Sequence, residues 1–129
     1  MPQTQSGAVD MLTAIFTGTR YLGLRTASGE VVGSGYARLA IAAAQRGQNS
    51  TTGEVTITVA MNFANPTTSA WGDVMYLSVY TASTGGVEKW RARIVNSSGS
   101  NVTLSVAVGD RVFFAANQLR FRANNSVVV

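Results

Sequence analysis

From Arg20 onward, apolar side chains fall on every second position, in short runs cut by glycine, proline or asparagine. Period two sends successive side chains to opposite faces of a strand, so each run carries one apolar and one polar face. "EVTITVAMNF" (54–63) sets Val55, Ile57, Val59 and Met61 against Thr56, Thr58 and Ala60. "DVMYLSVYTA" (73–82) sets Met75, Leu77 and Val79 against Tyr76, Ser78 and Tyr80. "VEKWRARIV" (87–95) sets Trp90, Ala92 and Ile94 against Lys89, Arg91 and Arg93. Further runs are "RYLGLRTA" (20–27), "YARLAIAAA" (36–44), "SNVTLSVAV" (100–108, with Val102, Leu104, Val106 and Val108 inward), "RVFFAA" (111–116) and "NQLRFRA" (117–123). About eight short strands separated by turn signals predict an all-β fold, an antiparallel β-sandwich or jelly roll. Thr84-Gly85-Gly86 and Gly109-Asp110 mark its tight turns.

One segment breaks the pattern. "AVDMLTAIF" spaces Val9, Leu12, Ile15 and Phe16 as on one face of a helix, and Thr17-Gly18 ends it, which predicts a short helix over 8–17. Residues 1–7, "MPQTQSG", have no period and are expected to form a flexible arm. Residues 124–129 form a tail whose "SVVV" suits a final strand or an arm that pairs with a neighbour. No linker or repeat divides the 129 residues, so a single domain is expected, with the sandwich over 20–123.

The chemistry-bearing residues are few. The chain has no cysteine and no histidine, which removes disulfides, thiolate and imidazole ligands, and the usual near-neutral acid–base group. The six carboxylates, Asp10, Glu30, Glu54, Asp73, Glu88 and Asp110, lie far apart near turns and element ends. "GSGYAR" (33–38) opens a strand rather than a helix and lacks the third glycine of a phosphate loop. No enzymatic activity, metal or cofactor is expected. No secretory signal is visible, and no run approaches the ~20 apolar residues of a membrane span.

What remains is contact chemistry. Only 12% of the residues are charged, and the ten basic ones are nine arginines and Lys89. Arginine is enriched over lysine in protein interfaces, and its planar fork matches carboxylates. The arginines are spread along the chain, which points away from nucleic acid. Arg91 and Arg93 share one strand face, as do Arg120 and Arg122, and Tyr76 and Tyr80 give the 73–82 strand a second amphipathic face. These six residues are the candidate partner contacts. Trp71 and Trp90 have two readings, a platform for a sugar or base and a core residue. The sandwich pattern favours the core.

The ordered set "YLGLRTASG", "GSGYAR", "WGDV", "TASTGG" and "VAVGDRVFFAANQLRF", at Tyr21–Ala27, Gly33–Arg38, Trp71–Val74, Thr81–Gly86 and Val108–Phe121, resembles a family of small tailed-phage structural proteins. It covers roughly residues 8–122. Two departures stand out: Ala116-Asn117 replaces a usual glycine, and the loop after Arg25 is shorter. The resemblance implies a virion structural protein assembled in the bacterial host cytoplasm. Within that class the expected role is a capsid decoration (cement) protein at the capsid surface. It would bind the major capsid protein and itself, as a trimer rather than a dimer, and engage neither nucleic acid nor membrane. A tail fibre or baseplate-associated protein is the alternative, and a carbohydrate-binding module the third reading.

Overall fold

The computed structural model describes residues 5–33 and 35–129. A helix, α1 (Gln5–Ile15), leads into β1 (Arg20–Thr26), β2 (Gly29–Glu30), β3 (Leu39–Ile41), a 3-10 turn (Ala43–Gln45), β4 (Arg46–Gln48), β5 (Val55–Ile57) and β6 (Met61–Asn62). Then come β7 (Gly72–Tyr80), β8 (Glu88–Val95), β9 (Leu104–Val106), β10 (Phe113–Phe114), β11 (Arg120–Arg122) and β12 (Ser126–Val128). The class is all-β.

Ten of these strands form one sheet, ordered β2-β1-β7-β8-β12-β11-β5-β4, with β3 also on β1 and β9 also on β7. The remaining two, β6 and β10, pair with each other. Alternation decides which face of the large sheet is dry. Rows of paired residues run across it: Leu24, Leu77 and Ala92, then Ile94, Val127, Phe121 and Val55. All seven are buried. Leu12 and Ile15 of the helix and Phe16 just after it join the same core, with the Phe16 ring 5.1 Å from that of Phe121. Met61, Phe63, Trp71 and Phe114 complete it.

The helix ends at Ile15, two residues short of the expected 17, and Gly18 then takes a left-handed φ of 66°. Two arginines occupy its carbonyl end: Arg20 Nε donates to Ile15 O (2.7 Å) and Arg46 Nη2 to Phe16 O (2.9 Å). Cations there complement the helix dipole. At Asn117, beside the departure at 116–117, φ is 65°. Asparagine tolerates this conformation better than other non-glycine residues, so the turn survives without the glycine.

Several expectations are corrected. Of the arm expected at 1–7, residues 1–4 lie outside the described residues and 5–7 open the helix, since nothing in Gln-Ser-Gly bars a first helical turn. Among the described residues the strands number twelve, against the about eight expected, because short polar pieces such as β2 and β4 carry no alternation for a sequence reading to find. Val108 is exposed, since β9 ends at Val106 before the Gly109 turn. The sheet is mixed rather than antiparallel, and the tail is its bridge. β12 inserts parallel to β8 and antiparallel to β11, joining β2-β1-β7-β8 to β11-β5-β4. Val127 and Val128 are buried on opposite faces, which explains a continuous apolar run in place of alternation. With that bridge in place, ten strands lie in one hydrogen-bonded sheet.

Candidate functional site

The polar side of the large sheet holds the candidate contacts. Register places Arg25 (β1), Tyr76 (β7), Arg93 (β8), Ser126 (β12) and Arg122 (β11) side by side in one row across five strands. Cross-strand partners share a face. The two arginine pairs therefore lie on one surface, although 27 positions separate Arg93 from Arg120 in sequence. The Arg93 and Arg91 guanidinium carbons sit 5.6 and 6.0 Å from the Tyr76 ring centre.

Charge on this face is unevenly balanced. Glu88 serves both Arg91 (2.9 Å) and Arg25 (3.6 Å), and Glu54 serves Arg122 (2.9 Å). Burial pushes the Glu88 carboxyl up, but the Arg91 hydrogen bond and the nearby Arg91 and Arg25 charges more than offset it, leaving it below the usual carboxylate value. Arg93 meets no carboxylate. Its Nη1 donates to Met75 O (2.7 Å) and Val102 O (2.8 Å). This is where β8 leaves β7 and β9 takes its place, so Arg93 plugs the seam with carbonyl-directed bonds. The Arg120 guanidinium has no hydrogen-bond or ion-pair partner among the described residues.

At the other end of the same face, the polar groups are locked. Arg38 Nε and Nη2 grip Glu30 in two parallel bonds (2.7 and 2.8 Å), while Nη1 donates to Ala82 O (2.9 Å) and Gly85 O (2.7 Å). Its guanidinium lies 3.6 Å from the Tyr80 ring centre. The Tyr36 hydroxyl donates to Glu30 Oε2 (2.6 Å) and accepts from Leu24 N (3.0 Å). Burial and the Glu30 hydrogen bond raise the Tyr36 hydroxyl far above its usual range. Burial also pushes Glu30 up, yet the bonds from Arg38 and Tyr36 outweigh it and hold the carboxyl below its ordinary value. Gly23 makes the approach possible: a Cβ there would stand 2.7 Å from the Tyr80 ring and 2.8 Å from the Tyr36 hydroxyl. The edge of the Tyr36 ring meets Trp71 at 5.6 Å. Gly23, Gly33, Tyr36, Arg38, Trp71, Ala82 and Gly85 come from four separate sequence motifs, and the fold gathers them in one place.

A family model of the podophage GP4 fiber I protein gp80 matches residues 11–122 of the 129. The chain belongs to this family. It is a phage virion structural protein of the gp80 type. Neither a curated protein nor a solved structure matches it.

Within this gp80-family chain the six expected contact residues divide. Tyr76, Arg91, Arg120 and Arg122 lie on the outer face, exposed or half-exposed. Arg93 shares the face but is committed to the seam. Tyr80 is buried at 5% exposure, because Arg38 covers its ring and Gly23 leaves it room. Neither tryptophan offers a platform. Trp71 is buried, and Trp90 tilts onto Phe121 while its Nε1 donates to Asn125 Oδ1 (2.7 Å). Sequence reasoning missed Arg25 and Arg38. Arg25 entered the face only through the β1–β7 register. Arg38 sits outside any regular element, and "YAR" (36–38) was its one signal. Among the described residues no group of three or more acidic, histidine or cysteine side chains could hold a metal ion, and no helix is long and apolar enough to cross a membrane.

Proposed function

We propose that this protein is a component of a phage tail fibre and acts by contact rather than by catalysis. The carrying observation is the match to a fibre protein over residues 11–122, which favours the fibre over a capsid cement role. The polar groups support a contact role. Glu30, Glu54 and Glu88 are engaged by arginines, Asp73 accepts from Ser105 Oγ (2.8 Å), and Asp110 caps its own turn at Ala107 N (2.9 Å). Such carboxylates are occupied with structure. The outer face has the opposite character, with cations left over for a partner. Self-association, as a trimer, belongs to the same proposal.

Location decides the matter. Antibody-gold labelling of purified virions should mark the tail, and quantitative mass spectrometry should count a few copies per particle. Label spread over the head with hundreds of copies would overturn the fibre reading in favour of cement.

A further inference from the structure

Two strands joined by a tight turn ordinarily close into a hairpin, and β9 and β10 do not. The turn between them is well made. Asp110 N donates to Ala107 O (3.0 Å), Asp110 Oδ2 accepts from Ala107 N (2.9 Å), and Gly109 takes a left-handed φ of 84°. Yet β9 pairs with β7 and β10 with β6, and neither pairs with the other. Both arms line one groove of about 360 Å³, whose apolar lining is Leu104, Val106, Val112, Phe114 and Val129.

Register fixes where the spare main-chain groups of β10 point. Phe63 N donates to Val112 O (3.0 Å), and the next pair along is Asn62 with Phe113. Bonded and non-bonded pairs alternate along an antiparallel ladder, so the N–H and C=O of Phe113 point away from β6. Among the described residues they meet no partner. The Phe113 side chain is itself 45% exposed, with the Arg111 guanidinium 4.8 Å from its ring centre. Val108, in the same turn, is exposed as well.

We infer that this splayed hairpin is a docking site for an extended segment of a different virion protein, which enters between β9 and β10 as an added strand. A strand paired on one side only offers N–H and C=O groups that another extended backbone matches, and here two such strands line one groove. The groove also states what the segment carries. Its walls alternate apolar Val106, Val112 and Phe114 with polar Ser105 and Arg111, so the entering strand has apolar side chains at every second position. The fold already uses this device once, since β12 joins β8 to β11 by pairing with both. A second copy of the chain is a poor donor. Among the described residues its alternating runs already lie in sheets, and Met1-Pro2-Gln3-Thr4 has a proline that cannot donate to a ladder. The site lies apart from the outer face, and the inference holds wherever on the virion the chain sits.

The test uses the full chain in assembled virions. The photo-cross-linking residue p-benzoylphenylalanine replaces Ser105 or Phe113, one on each wall and both exposed, or Asp10, exposed on α1, as a control. After irradiation, mass spectrometry of the digested particles should find Ser105 and Phe113 joined to the same segment of another virion protein, with apolar residues alternating along it. Asp10 should not give that link. Phe113→Pro removes the outward N–H without removing a bond to β6, and it should lower the copies per virion about tenfold, whereas Phe113→Val should keep them. Should Phe113→Pro fail to fold, the cross-links decide alone. Links to a second copy of this chain, links from the two walls to unrelated segments, no link from either wall, or equal occupancy by a folded Phe113→Pro would overturn the inference.

Discussion

Arg38 and Arg120 lie on the same side of one sheet and behave oppositely. Arg38 spends its fork on a carboxylate and two loop carbonyls and stacks on a ring. Arg120 makes none of these contacts among the described residues. The difference lies in their neighbours. Around Arg38, two loops and a glycine bring acceptors to the guanidinium. Around Arg120, the facing residues in the sheet are Thr56 and Val128, and among the described residues no carboxylate reaches it. An arginine surrounded by fixed acceptors holds the fold, and one without them is left for a partner.

Four changes would break or sharpen this comparison. The largest removes what both ends rest on. Deleting Ser126–Val128 takes away the bridge between the two parts of the sheet and should abolish cooperative thermal unfolding; a retained sharp transition would show that β12 is dispensable. Next comes Gly23→Ala. The added methyl collides with the Tyr80 ring and Tyr36 hydroxyl and should cost about 1–3 kcal/mol in chemical denaturation, as overpacking does.

The third change is acid. Glu30 has a folded pKa below its unfolded value, so its contribution is present above the unfolded value near 4.5 and is lost as pH falls through the folded one. Stability should therefore drop on acidification below about pH 4.5. Glu30→Gln should be less stable at neutral pH and show a shallower acid decline, read from denaturation midpoints at several pH values. Glu88, lowered in the same direction, keeps that decline from vanishing. The smallest effect is expected for Arg120→Ala. With no intramolecular partner, it should change stability by no more than ~0.5 kcal/mol. A larger loss would move Arg120 into the company of Arg38.

The legible parts of the chain were those with a period. The bounds of β1, β7 and β8 fall within a residue or two of the alternating runs, and Leu77, Ile94 and Phe121 face inward as their parity requires. The illegible parts owe their structure to pairing. β12 has no alternation because both its faces are covered. β4 is Arg-Gly-Gln, polar throughout, and becomes a strand only because β5 lies beside it. At the site, parity correctly joined Arg91 to Arg93 and Arg120 to Arg122. That the two pairs share a surface depends on the β8–β12–β11 register, which links residues far apart in sequence. The seam that occupies Arg93 likewise appears only once β9 has displaced β8 beside β7.

The position of β12 also sets an order of events. Every other strand of the sheet precedes it along the chain, so while the polypeptide emerges from the ribosome the two parts exist with open edges at β8 and β11. Unpaired edges of this kind are templates for pairing with another chain. Until β12 arrives, a nascent molecule has its greatest opportunity to recruit a strand from a sister copy in place of its own. Misassembly of this protein should therefore begin at the β8 and β11 edges, and conditions that slow closure of the non-local β8–β12 pair should raise aggregation before they lower the stability of the finished fold.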